Sequence, residues 1–166
     1  NAVLTEHAWD VDAKGLQNAP HLSIICGACC HGTIKSAVRM MGLGTDNIVT
    51  IPADTQGRMQ VPALQYVLDH QTGPSILCLQ AGNVNTGASD RFEDIIADAR
   101  RHNIWVHVDG AFGLWARAAP QLKHLTDGIR NADSWSVDAH KWLHVPYDSG
   151  MVIVRDPDIH QRLKTT

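Results

Sequence analysis

Short apolar runs alternate with segments of helical periodicity along most of this chain, and this alternation constrains its fold more than any other feature. Strand-like runs are predicted at residues 21–26, 47–51, 75–79, 104–109, 134–137 and 150–154. Apolar residues recur at helical spacing between them, at residues 33–41, 62–72 and 90–99. Strands that alternate with helices in this way predict an α/β fold with a mostly parallel sheet and helices on both faces.

The two ends of the chain show no such periodicity. Residues 1–20 are rich in charged residues and turn formers, and they are expected to be irregular. A polar tail is predicted over residues 156–166. Ser89 or Asp90 is predicted to cap the helix of residues 90–99. No internal repeat or linker is evident, so a single domain is expected.

Composition narrows the possible partners and the compartment. The 166 residues carry a net charge of −3, and without a basic excess no nucleic-acid partner is expected. No apolar run approaches the roughly 20 residues that span a bilayer, and no leader opens the chain, so no membrane association is expected. The four cysteines include three within five residues, which favours reduced thiols in a cytoplasmic protein over a disulfide framework.

Four predicted strands are followed by side chains that can carry chemistry. In chain order these are His31, then Asn83 in an amide-rich turn, then Asp109, and finally Asp138, His140 and Lys141. Ligands of parallel α/β sheets bind beyond the carboxyl ends of the strands, so these side chains are expected to meet at one edge.

These residue types suit a phosphorylated aldehyde cofactor with a pyridine ring. Burial and cationic neighbours make a lysine amine nucleophilic, so Lys141 could hold an aldehyde as a Schiff base. Asp109 would keep the ring nitrogen protonated, and the ring would then accept electrons from the substrate. His31 would stack on one face of the ring, and the small Ala111 would let the other face approach closely.

Four motifs resemble the group II pyridoxal-5′-phosphate decarboxylases, a family that includes aromatic-amino-acid, tyrosine, histidine and glutamate decarboxylases. They are HGTIKSAVRMMGLG (residues 31–44), GNVNTGASD (82–90), HVDGAFG (107–113) and ADSWSVDAHKW (132–142). The resemblance runs in register from about residue 26 to residue 154. It implies the large domain of fold type I, the aspartate aminotransferase-like fold.

The resemblance also implies roles for individual residues. Lys141 matches the Schiff-base lysine, Asp109 the partner of the pyridine nitrogen, and His31 the stacking histidine that helps to hold the substrate. Three further positions match residues close to the cofactor, namely Ala111, His140 and Asn83, and relatives often carry threonine at the last of these. Asp138 stands where many relatives have an asparagine that helps to hold the phosphate.

For the whole protein, the resemblance implies a pyridoxal-phosphate-dependent lyase that releases the α-carboxylate of an amino acid as CO₂. Family members are homodimers with active sites at the subunit interface. The family's phosphate loop lies upstream of these motifs and its small domain lies downstream. Residues 1–166 are therefore expected to be the central part of the cofactor-binding large domain.

Three other interpretations remain open at this point. The crowding of Cys26, Cys29, Cys30 and His31, or the helical spacing of His140 and His144, could bind a metal ion. No metal is expected, because a zinc site requires a second pair of ligands at matched spacing. The chain could also be a non-catalytic fragment or interaction module derived from such an enzyme. Finally, enzymes with the same fold catalyse transamination or oxidative deamination, and either reaction is an alternative to decarboxylation.

Overall fold

A six-stranded sheet organises residues 1–162, the part of the chain that the computed structural model describes. Its strands are β1 (Ser23–Gly27), β2 (Ile48–Ile51), β3 (Ser75–Gln80), β4 (Trp105–Asp109), β5 (Ser134–Asp138) and β6 (Gly150–Val154). The spatial order is β2-β1-β3-β4-β5-β6. Neighbours from β2 to β5 are parallel, and β6 alone pairs antiparallel, with β5. The prediction of a mostly parallel α/β sheet is therefore confirmed.

Within residues 1–162, six α-helices accompany these strands. They are α1 (Ala2–Glu6), α2 (Val11–Lys14), α3 (Thr33–Met40), α4 (Val61–His70), α5 (Phe92–Arg101) and α6 (Pro157–Arg162). A proline in its first turn favours the start of α4, because proline has no N–H and the amides of the first turn have no partner within the helix. Acidic side chains in the first turn of α5 and basic ones in its last turn complement the helix dipole.

Apolar side chains cover both faces of the sheet, as predicted. Side chains alternate along β1, so Ile25 joins one buried cluster and Ile24 joins another. The first cluster includes residues of α4 and α5. The second includes Val3 of α1 and Val38 of α3. Helices on both faces leave the ends of the strands as the place where polar side chains can gather.

The first twenty residues are more ordered than predicted. They contain α1 and α2, whereas an irregular segment was predicted from the sequence. Val3 and Leu4 are buried, so packing against the sheet stabilises a helix too short to form alone. The Asp10 side chain accepts hydrogen bonds from the amides of Asp12 and Ala13 and so caps α2.

Two predictions near helix ends are wrong. Neither Ser89 nor Asp90 caps α5, which begins one residue after Arg91. Both side chains instead accept hydrogen bonds from backbone amides elsewhere, Ser89 from Gly82 and Asp90 from Met59 and Gln80. The predicted polar tail includes helix α6, and its last part, residues 163–166, lies outside the described residues.

Residues 110–133 form a connection between β4 and β5. This connection contains three short 3-10 helices, at Gly113–Ala118, Lys123–Thr126 and Ile129–Asn131. Within residues 1–162, no helix is long and apolar enough to cross a membrane.

Candidate active site

The carboxyl ends of the parallel strands border a cavity of about 290 Å³. It is lined by His31, Thr33, Ile34, Ala37, Gln80, Gly82, Val84, His107, Asp109, Ala111, Phe112, Ser136, Asp138 and Lys141. The structure therefore brings together residues from four separate parts of the sequence. Among them are five of the seven predicted site residues, which are His31, Asp109, Ala111, Asp138 and Lys141.

The Lys141 amine is held at the edge of this cavity by a carboxylate and an aromatic ring. Its Nζ lies 2.7 Å from Oδ2 of Asp138 and 4.4 Å from the centre of the Phe112 ring. The side chain is 27% exposed, so the amine is partly shielded from water but open to the cavity. Phe112 was not predicted from the sequence, because an apolar side chain gives no indication there that it belongs to a polar site.

Asp138, at the end of β5, is turned toward the lysine and the histidine before it. Its Oδ2 lies 3.6 Å from Nε2 of His140, and its carbonyl accepts a hydrogen bond from the Trp115 indole. The carboxylate therefore neutralises the Lys141 ammonium. The role implied by the resemblance, contact with a cofactor phosphate, remains a prediction.

His140 is fixed by its own neighbours and lies just behind the cavity. Its Nδ1 accepts a hydrogen bond of 2.9 Å from the amide of Ser149, and its ring packs against that of Tyr147. In the neutral ring the remaining proton therefore lies on Nε2, on the side of Asp138. His140 thus lies beside Asp138, which in turn contacts Lys141.

Asp109 ends β4 and enters the cavity from its floor. One carboxylate oxygen, Oδ1, accepts a hydrogen bond of 3.1 Å from the amide of Ala111. The strands on either side supply Gln80 and Ser136 in the same register. A carboxylate held in this way can pair with a protonated nitrogen in the cavity, and Ala111 leaves space beside it.

His107 lies two residues before Asp109 on the same side of β4. Its Nδ1 is 2.9 Å from Oγ of Ser134, and its Nε2 is 3.4 Å from Oγ of Ser136. Burial lowers the pKa of His107, and the Asp109 carboxylate opposes this only in part. The imidazole is therefore neutral at pH 7 and forms part of the cavity lining.

His31 lies where β1 leads into α3. Its Nδ1 is 2.9 Å from Oγ1 of Thr33, which limits the orientations of the ring. The side chain is exposed and forms part of the cavity wall. An imidazole in this position is free to stack on a flat ring in the cavity.

Asn83 is used mainly to build the turn after β3. The side chain is buried. Its amide nitrogen donates hydrogen bonds to the carbonyl of Cys29 and to the Gln80 side chain. Its amide oxygen accepts hydrogen bonds from the backbone amides of Asn85 and Thr86. It lies outside the first cavity and lines a second one of about 760 Å³. The two cavities share Gly82, Val84, Phe112 and Lys141.

Two glycines allow the turns after β3 and β4 to pack closely. Gly82 has a φ of +77°, and a Cβ placed on it would lie 2.9 Å from the backbone of Gly113. A Cβ on Gly113 would lie 2.5 Å from the carbonyl carbon of Ala81. Any larger residue would separate the two turns, which supply Val84 on one side of the cavity and Phe112 on the other.

Metal binding has no geometric support in residues 1–162. No group of three or more histidine, cysteine, aspartate or glutamate side chains is arranged there to hold a metal ion. Of the side chains considered as ligands, Cys26 contacts Cys30, His31 contacts Thr33 and His140 contacts Ser149.

A lysine, a carboxylate and an imidazole around one cavity, at the carboxyl edge of a mostly parallel sheet, define an α/β protein with a site for a carbonyl cofactor. The chain belongs to the pyridoxal-dependent decarboxylase family: the model of the pyridoxal-dependent decarboxylase conserved domain matches residues 5–165. The family resemblance carried by the sequence motifs is thereby confirmed.

Curated relatives support this assignment. The chain is 31% identical to acidic amino acid decarboxylase GADL1 of Mus musculus over 94% of its own length and 29% of the relative's. It is 32% identical to cysteine sulfinic acid decarboxylase of Mus musculus (89% and 31% of the two lengths). It is 34% identical to aromatic-L-amino-acid decarboxylase of Drosophila lebanonensis (74% and 32%). The chain thus spans about a third of the length of these relatives.

Solved structures share the fold. The glutamate decarboxylase domain of a Vibrio parahaemolyticus enzyme superposes with a TM-score of 0.88 at 27% identity, over 98% of this chain and 36% of that one. Mouse CSAD in its apo form gives 0.84 at 29% identity, over 93% and 34%. Oryza sativa TDC with PLP gives 0.80 at 28%, over 99% and 34%. The fold type I assignment is confirmed.

Proposed function

We propose that the protein containing this chain is a pyridoxal-phosphate-dependent lyase that removes the α-carboxylate of an amino acid as CO₂. The observation that carries the proposal is the single cavity lined by Lys141, Asp109 and His31. Family membership supports it, as do the decarboxylase names of the relatives. Oryza sativa TDC, which was solved with PLP, supports the choice of cofactor.

The side chains around the cavity fit such a cofactor. Lys141 offers a primary amine to an aldehyde, and Asp109 offers a carboxylate to a ring nitrogen. His31 and Ala111 line the same cavity as that carboxylate. When bound, pyridoxal phosphate supplies the electron sink that stabilises negative charge at the substrate α-carbon.

Each residue then has a defined task. Asp109 holds a proton on the ring nitrogen, because an ion pair at that position favours the charged form. Asp138 keeps the Nζ of Lys141 at the mouth of the cavity, where their separation is 2.7 Å. His31 restricts the position of a flat ring by stacking, and the Phe112 ring beside the amine shields it in part from water.

Replacement of the lysine tests the proposal directly. The full-length protein is expected to develop a visible absorbance band with pyridoxal phosphate, and Lys141→Ala is expected to lose both the band and CO₂ release. The reason is that no other lysine lines the cavity among the described residues. The measurements are an absorbance titration and a CO₂ assay with a panel of amino acids.

Lys123→Ala is the matched control, because Lys123 is exposed on a 3-10 helix away from the cavity. That variant should retain both signals. A visible band that persists in Lys141→Ala would overturn the assignment of the lysine. Amine-group transfer without CO₂ release by the unaltered protein would point to a transaminase instead.

Assembly and compartment are part of the same proposal. A homodimer is supported by exposed apolar side chains after β5 and on β6, including Trp142, Leu143 and Val152. A cytoplasmic location is supported by the four cysteines, all of which are free.

A further inference from the structure

Two cysteine thiols lie next to the candidate active site and take no part in the proposed reaction. Sγ of Cys26 and Sγ of Cys30 are 3.5 Å apart. Cys26 is buried in β1, and Cys30 is half-buried just beyond the strand. Neither is in a disulfide.

The turn between the two thiols fixes their proximity. The amide of Cys30 donates to the carbonyl of Gly27 at 3.0 Å, and the amide of Ala28 donates to the carbonyl of Ile51 at 2.8 Å. Both sulfurs are thus held on the same side of a tight turn. A disulfide bond of about 2.05 Å requires them to approach by a further ~1.5 Å.

The pair has one thiol that ionises readily and one that does not. A hydrogen bond from Cys26 stabilises the thiolate of Cys30, and the nearby Lys35 adds to this, so the pKa of Cys30 is lowered. The same hydrogen bond, together with burial, raises the pKa of Cys26. The thiolate is the reactive form, so Cys30 is the nucleophile of the pair and Cys26 is its partner.

Cys30 is also connected to the cofactor cavity. It borders a small space of about 10 Å³ whose wall includes His31 and Asp109, both of which also line the main cavity. His31 is the next residue in the chain. The thiol and the main cavity thus share two wall residues, and a displacement of Cys30 would act on the backbone that carries the His31 imidazole.

We propose that Cys26 and Cys30 form a peroxide-sensitive dithiol whose oxidation to a disulfide shifts His31 and weakens cofactor binding. The effect on the cofactor rests on the proposed function, whereas formation of the disulfide does not. The site and its chemistry follow from the sulfur–sulfur distance and from the wall shared with the cavity.

The reaction consumes one peroxide per disulfide. The Cys30 thiolate attacks one peroxide oxygen, the O–O bond breaks, and the sulfur is oxidised to a sulfenic acid while the other oxygen leaves and is protonated to water. The Cys26 sulfur then attacks the Cys30 sulfur, the S–O bond breaks, and a second water leaves with the thiol proton. Two thiols and one hydrogen peroxide thus give one disulfide and two waters.

Peptide mapping of the full-length protein tests the disulfide. After treatment with hydrogen peroxide, free thiols are alkylated and the protein is cut with trypsin without reduction. Cys26, Cys29 and Cys30 fall in one tryptic peptide, residues 15–35, and Cys78 falls in another, residues 59–91. The expected result is a peptide 15–35 that has lost two hydrogen atoms and carries a single alkyl group.

Variants identify the bonded pair. Cys29→Ser is the matched control, because Cys29 is exposed and adjacent in sequence but is not the thiol in contact with Cys26. It should still form the internal disulfide, leaving no alkylated cysteine in the peptide. Cys30→Ser should stay reduced and carry two alkyl groups. A bond to Cys78, which pairs with Cys26 in the sheet, or a disulfide that survives in Cys30→Ser would overturn the proposal.

Cofactor titration tests the consequence for the site. Oxidation is expected to weaken pyridoxal phosphate binding on the order of tenfold, because displacements of about 1 Å in a positioning group have large effects. Dithiothreitol should restore the affinity, and Cys30→Ser should show no change with peroxide. Equal affinity in the oxidised and reduced protein would refute the link to His31. The peptide map needs no cofactor, so failure of the proposed function leaves the dithiol tested separately.

Discussion

At the scale of single residues, the described site depends on neighbouring groups that hold its charged side chains in position. Lys141 is surrounded by a carboxylate and an aromatic ring, and Asp109 is anchored by the amide of Ala111. His107 differs from both, because burial keeps it neutral beneath the cavity. Its protonation would place a positive charge between two serine hydroxyls, where the Asp109 carboxylate offsets the cost of burial only in part.

The lowered pKa of His107 predicts a pH-dependent loss of stability. The unfolded imidazole binds a proton below about pH 6.5 while the folded one does not, so the unfolded state binds more protons in that range. The contribution of His107 is fully present above about pH 6.5 and is lost as the pH falls toward its folded pKa. The slope reaches at most about 1.4 kcal/mol per pH unit.

Urea unfolding between pH 5 and 8 measures this dependence. His107→Gln should have a shallower slope below about pH 6.5 than the unaltered chain. His124→Gln, at an exposed position, should leave the slope unchanged. An identical slope in the unaltered chain and in His107→Gln would contradict the assignment.

At the scale of elements, the end of β3 is tied to the chain before α4 by one buried carboxylate. Oδ1 of Asp90 accepts from the amide of Met59, and Oδ2 accepts from the amide of Gln80, each at 2.7 Å. Burial raises the pKa of Asp90, although both hydrogen bonds oppose this. The side chain thus joins two elements that are far apart in sequence.

Asp90→Asn is expected to lower the free energy of unfolding by about 1–3 kcal/mol, because the amide nitrogen of asparagine would face a backbone N–H and leave it unsatisfied. Urea denaturation provides the measurement. Asp46→Asn, at an exposed position, serves as the control and should change stability little. Equal midpoints for Asp90→Asn and the unaltered chain would refute this role.

The strands and the edge at which the site forms could be predicted from the sequence, and the contacts among loops could not. All six predicted strands are present with bounds within two residues, because apolar periodicity reports burial directly. Lys141 and Asp109 were identified because they follow such strands. Asp90 was mistaken for a helix cap, since a carboxylate before a helix has the same local pattern whether it binds that helix or a distant amide. Phe112 and the turn-building role of Asn83 depend on tertiary contacts alone.

At the scale of the whole molecule, the sheet has one edge that is apolar and open. The outer strand β6 pairs only with β5, and Met151, Val152 and Ile153 are between 42% and 68% exposed. An exposed edge strand with apolar side chains favours association with another chain. Apolar residues after Lys141, such as Trp142, are exposed as well.

The isolated 166-residue chain is therefore expected to self-associate in sedimentation velocity experiments, and Val152→Lys should shift it toward the monomer. A lysine on an edge strand disfavours pairing because its charge would have to be buried. Met40→Lys is the control, since Met40 is 88% exposed but lies on α3, away from this edge. A monomeric unaltered chain, or an equal response to both substitutions, would contradict the prediction.

The reversal of β6 against β5 has a further consequence for the lysine. Asp138 pairs with Gly150 at the closed end of a hairpin, and the amide of Ala139 donates to the carbonyl of Ser149, so Lys141 lies inside a loop closed by the outermost strand. Outer strands fray before central ones, as amide hydrogen exchange shows in other proteins. Separation of β6 from β5 would therefore free the Lys141 amine while the rest of the sheet stays intact. The Lys141 amine thus depends on a hydrogen-bond ladder at an outer edge of the sheet.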